Sequence, residues 1–137
     1  MSPVNGVPGA TTIVPAATTY AWAAPIVTGG ITGGSAQAGQ ASISQTLTNP
    51  TNIARTATYT VTPTSGAAGA CVGSNFTVTV TVNPTPVMAA YTSTICSATA
   101  FTVSPVNGAP TAATIVPAGT TYAWPAAMVG RAIVYFD

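Results

Sequence analysis

Side chains able to do chemistry are scarce in this chain. Cys71 and Cys96 are its two thiols, Arg55, Arg131 and Asp137 are its only charged side chains, and Lys, Glu and His are absent. General acid–base catalysis needs a positioned group with a tunable pKa, most often a His or a carboxylate. Here the sole carboxylate side chain is residue 137, and no imidazole exists to activate a serine or a thiol. Structural zinc needs a cluster of Cys and His, and calcium needs several carboxylates. Neither set can be assembled, so no metal or cofactor is expected. Two Arg and no Lys give no basic patch to track phosphates, which argues against nucleic acid as a partner. The chain is read as non-enzymatic.

Aromatic stacking is the next chemistry to consider. Tyr20-Ala21-Trp22 and Tyr122-Ala123-Trp124 could each form a platform for a sugar ring. Aromatics at period 2 more often pack against an opposing sheet, so Tyr20, Trp22, Tyr122 and Trp124 are read as core, with Tyr59 and Phe76. The many threonines could bind ice or carbohydrate, yet hydroxyls are also the simplest way to wet an uncharged sheet. Asn75-Phe76-Thr77 matches a glycosylation sequon by pattern alone, and the stretch 29–39 is a Gly-rich loop without a phosphate-binding Lys.

The elements that must position these residues come from an unusual composition. Only 2% of residues are charged, against about 25% in ordinary domains, while 47% are apolar. Disordered chains combine low hydrophobicity with high net charge, the reverse of this balance. No apolar run approaches the ~20 residues of a membrane helix, so membrane insertion is not expected, and no signal peptide is visible. The chain also repeats itself at a constant offset of 102: residues 2–24 and 104–126 share 18 identities in 23 positions. A fixed period is the mark of a modular array. On this reading the 137 residues begin inside one module and end inside the next.

The dominant local signal is strand. Residues 75–82 alternate apolar and hydroxyl side chains, putting Phe76, Val78, Val80 and Val82 on one face and Thr77, Thr79 and Thr81 on the other. Residues 57–62 and 41–47 alternate likewise, residues 18–22 put Tyr20 and Trp22 together, and 101–103 form a further short strand. Turn signals such as Gly29-Gly30, Asn49-Pro50-Thr51-Asn52 and Ser65-Gly66 punctuate these runs, and Thr, Val, Gly and Pro disfavour helix. The spacing predicts an all-β, antiparallel sandwich of immunoglobulin type, whose ~100 residues match the period. Asn83-Pro84-Thr85-Pro86 is the expected linker. It separates a module at 2–82 from the start of a second copy at 87–137, which comprises 87–103, the repeat of 2–27 at 104–129, and a divergent tail at 130–137.

Several stretches together resemble a known repeat: 47–52, 56–63, Cys71-Val72-Gly73-Ser74 leading into the Val/Thr strand, the Asn-Pro-x-Pro linker, and Thr94-Ile95-Cys96-Ser97. They look like the PKD-like, immunoglobulin-like repeats of very large secreted surface adhesins in gliding, type IX-secreting bacteria. That resemblance implies an extracellular or cell-surface β-sandwich serving as a spacer or adhesive module. In the family's register the Cys96 position and the Cys71 position one period later share a sandwich, which implies an inter-sheet disulfide. Cys71 and Cys96 of this chain come from consecutive modules, so the link would form within the chain or with a neighbour. The alternative is two buried free thiols acting as small hydrophobes.

Module phase leads to an expectation about assembly. A module starting at residue 2 lacks the strand that 87–103 represents, with Ile95, Phe101 and Val103 as its apolar residues. The four-residue linker spans only about 14 Å, too short for an easy parallel fold-back. Donation of 87–103 to a neighbouring sandwich is therefore favoured, or a domain swap of 104–129 for 2–27. A head-to-tail contact that does not close gives a filament. Sequence alone thus points to a self-assembling structural subunit whose partner is another copy of itself. A glycan- or surface-binding module, or a spacer fragment of a giant adhesin, is the alternative.

Overall fold

In the computed structural model, residues 9, 11–105, 111 and 113–126 are described, and no helix occurs among them. Five strands form one antiparallel sheet: β1 Thr19–Trp22, β2 Ile26–Val27, β3 Gln37–Gln40, β4 Arg55–Thr64 and β5 Phe76–Val82. The described residues are all-β and antiparallel, as the alternation and turn spacing predict.

β4 is the centre of the sheet. One edge pairs with β5 from Arg55↔Val82 to Val61↔Phe76. The other edge is shared, with β1 at its C-terminal half (Thr19↔Thr64 to Trp22↔Val61) and β2 at its N-terminal half (Ile26↔Thr58, Val27↔Ala57). β3 lies outside β1, with a register shift between Tyr20↔Gln40 and Trp22↔Gln37. Period-2 alternation explains why these residues form strands. Ala57, Tyr59 and Val61 of β4 are buried, as are Tyr20 and Trp22 of β1 and Val78 of β5, while Thr60, Thr77 and Thr79 are exposed.

Ile31 and Ile43, with Leu47 packed against them, cross over this apolar face from the chain between β2 and β4. Edge-to-face ring contacts knit the core: Trp22 to Tyr59 at 6.4 Å and Tyr20 to Phe76 at 6.3 Å. Each such pair is worth about 0.5–1.5 kcal/mol beyond its buried area.

Two strand expectations need correction. Residues 41–47 contain no strand, and the strand there is β3, whose first three residues fall in the stretch read as a Gly-rich loop. The alternation is real, since Ile43 is buried and Leu47 half-buried. Between them, however, the Gln45 side chain replaces a backbone ladder. Its Oε1 accepts from the Ser35 N–H at 3.0 Å, and its Nε2 donates to the Ser35 carbonyl at 2.7 Å. Residues 101–103 likewise form no strand, because no described segment lies beside them to pair with.

Candidate functional site

Three features of the described chain are open to a partner: the outer edge of β5, a groove at the Phe76 end of the sheet, and the second copy of the repeat. β5 pairs only with β4 among the described residues, so its other edge, uncharged over seven residues, carries no second ladder, and only the Val82 carbonyl at its end is taken, by Asn49 Nδ2. Val80 on that strand is 37% exposed. Edge strands usually carry Lys, Pro or a bulge that blocks further pairing. None is found between Phe76 and Val82.

The groove encloses about 680 Å³, and its walls include Val14, Thr18, Tyr20, Pro63, Cys71 and Phe76. The turn after β4 sets the position of Cys71: the Ser65 N–H donates to the Cys71 carbonyl at 2.9 Å, and Thr64 bridges Val72. The Tyr20 hydroxyl is buried with no hydrogen-bond partner, and desolvation raises its pKa above the ordinary tyrosine value. Burial also raises the pKa of Tyr59, although its hydroxyl donates to Gln45 Oε1 at 2.9 Å. No group of three or more metal-ligating side chains exists among the described residues, and no described helix is long and apolar enough to cross a membrane.

Cys71 and Cys96 are both exposed free thiols, not buried hydrophobes, and no disulfide joins them within the chain. Ile95, Phe101 and Val103 are all exposed, Phe101 at 68%. Tyr20, Trp22 and Tyr59 are buried, and half-buried Phe76 packs against them.

The second copy departs from its core assignment: Tyr122 is 44% exposed and Trp124 82%, against 5% for Trp22. The reason lies in the partners. β1 is buried because β3 and β4 flank it, and nothing among the described residues flanks 121–124.

Local structure is nevertheless the same in both copies. The Thr18 N–H and Oγ1 donate to the Pro15 carbonyl at 3.3 and 2.7 Å, and the Thr120 N–H and Oγ1 donate to the Pro117 carbonyl at 3.2 and 2.7 Å. The turn that launches β1 thus forms again before a strand sequence that has no sheet.

Asn49 matters structurally in a way that its place in a turn signal does not reveal. Its Nδ2 donates to the carbonyls of Ile53 and Val82, both at 2.8 Å, and its Oδ1 accepts from the Thr51 N–H and hydroxyl. The contact to Thr51 is the Asx turn an Asn-Pro-Thr sequence favours. The contact to Val82 spans 33 residues and leaves no local trace.

A family model described as a PKD-like domain matches residues 9–86, more than half of the 137-residue chain. No curated protein and no solved structure matches it.

Proposed function

The chain belongs to the PKD-like domain family, and from that premise we propose that it is a non-enzymatic structural subunit of an extracellular bacterial surface filament or adhesin. A PKD-like domain is consistent with a structural or adhesion-type extracellular module. The finer reading is head-to-tail self-assembly within a large surface protein of a gliding, type IX-secreting bacterium. The observation that carries it is the uncharged, unpaired edge of β5, together with an exposed apolar segment at 87–103 in the same chain. Residues 87–103 of one subunit add a strand to β5 of the next, satisfying backbone groups on both sides by β-augmentation. Sedimentation velocity and negative-stain imaging test this. Open-ended oligomers that lengthen with concentration are expected, and a monodisperse monomer throughout overturns the proposal.

Cys71 and Cys96 lock the joint between successive chains in this scheme. The two thiols reduce oxidised glutathione to two molecules of the thiol form and become one interchain disulfide, the bond expected in an exported protein. Non-reducing electrophoresis of the oxidised chain then shows a ladder. Cys71→Ala or Cys96→Ala leaves no Cys71–Cys96 pair and runs as monomer. A fast-migrating monomer instead of a ladder refutes the interchain link.

Trp124 favours a second reading, a glycan-binding module, because its indole is 82% exposed and free to stack on a sugar. A glycan-array signal that Trp124→Ala abolishes supports that reading.

A further inference from the structure

The sequence Thr-Thr-Tyr-Ala-Trp occurs twice, and among the described residues only the first copy lies in a sheet. We propose that residues 121–124 of one chain insert between β3 and β4 of a second copy, displacing that copy's β1. This rests on the self-assembly reading above but assigns the exchange to a different segment from 87–103.

The fit is dictated by identity. At the constant offset of 102, Tyr122, Ala123 and Trp124 take the registers that Tyr20↔Pro63, Ala21↔Thr62 and Trp22↔Val61 occupy. Trp124 then meets Tyr59 edge to face, and its indole N–H donates to the Ser35 carbonyl as that of Trp22 does at 3.1 Å. The launching turn is already formed at Pro117–Thr120, so the donated segment arrives in the conformation the site requires.

Because the strand residues are the same, their contacts cancel in the exchange and the turn decides its direction. Ala17 sits at φ +56, a left-handed conformation that crowds its Cβ against the following carbonyl. Its counterpart Gly119 sits at φ +76 with nothing near the place a Cβ would occupy. Glycine adopts this region without that penalty. Exchanging the Ala17 turn for the Gly119 turn favours the donated strand about tenfold.

Reach explains why the recipient is another molecule. The second copy is tied to the Val82 end of the sheet, where Val87 and Ile115 exchange backbone hydrogen bonds of 2.9 and 2.7 Å beside Asn49 and Val82. Thr64, which residue 121 must face, is at the far end of β4, about 30 Å away along nine residues. Six residues from Ile115 to Thr121 extend about 21 Å at most. A second copy presents its Thr64 end without that constraint. The donor also carries Ile95, Phe101 and Val103, whose burial on the acceptor offsets the freedom lost on association.

Fluorescence of the full chain carrying Trp22→Phe tests the insertion, because Trp124 is then the only indole. Its emission shifts to the blue as concentration drives assembly. Ala17→Gly, which relieves the resident turn, weakens association about tenfold. Ala123→Pro removes a donor from the inserted strand and abolishes the exchange, while the circular dichroism of the monomer stays unchanged because Ala123 is exposed and unpaired there. Association with unshifted Trp124 emission and indifference to both substitutions overturns the inference and leaves donation by 87–103 standing. A chain monomeric at every concentration overturns both.

Discussion

Asn49 ties together the turn at 49–53 and the end of β5 through one side-chain amide, and it is only 7% exposed. Removing it takes the side-chain partner from the Val82 carbonyl and the Thr51 N–H, while the Ile53 carbonyl keeps the Thr51 hydroxyl at 3.0 Å. Asn49→Ala is expected to cost about 2–3 kcal/mol, seen as a lower urea midpoint at unchanged slope. Asn49→Asp costs at least as much, because it keeps the acceptor but sets a carboxylate oxygen against the Ile53 and Val82 carbonyls. Equal stability of Asn49→Asp and the native chain contradicts this account. The two buried tyrosines make an opposite pair. Tyr59 has a partner in Gln45, so Tyr59→Phe loses about 1 kcal/mol. Tyr20 has none, so Tyr20→Phe removes an unpaid desolvation and is neutral or stabilising by about 1 kcal/mol. A clear loss for Tyr20→Phe in thermal or urea unfolding reveals a hydrogen bond to that hydroxyl.

At the scale of elements, β5 is both a core strand and an open edge. Val78 is buried whereas Val80 is partly exposed, so a lysine at 80 can lift its ammonium into water while guarding the edge. Val80→Lys is expected to suppress self-association at least tenfold while changing fold stability by less than about 1 kcal/mol. Sedimentation velocity and urea unfolding report the two effects separately, and undiminished association rules out β5 as the acceptor edge. Strands β1, β4 and β5 were legible because Thr/Val or Thr/aromatic alternation records which face is buried. β3 was not, since Gln37, Ala38, Gly39 and Gln40 are all exposed and Gly39 sits at φ +67. Its existence depends on β1 lying alongside. The exposure of Tyr122 and Trp124 was hidden for a related reason: burial belongs to the pair of strands, and an identical sequence without β3 and β4 beside it stays in water. The repeat itself was fully legible, but the exposure of the two thiols was not.

Across the whole molecule, near-absence of charge makes both stability and assembly depend on burial and backbone hydrogen bonds. Two Arg and one Asp leave little for salt to screen, so association is expected to change less than twofold between 0.05 and 0.5 M sodium chloride. Sulfate, which is excluded from protein surface, strengthens it. The pH response has the same origin. No His or Glu is present, and the one Asp is the last residue. Tyr20 and Tyr59 both have their pKa raised by desolvation. A raised folded pKa means that the native state holds its proton where the unfolded chain has released it. The stabilisation by neutral, buried tyrosine is therefore complete below the unfolded value near 10, and it is lost as pH climbs through 10 toward the folded values. The urea midpoint should be flat from pH 5 to 8 and fall above 10. Tyr20→Phe and Tyr59→Phe should each flatten part of that fall, and a midpoint that drops between pH 5 and 7 contradicts a fold governed by these two phenols.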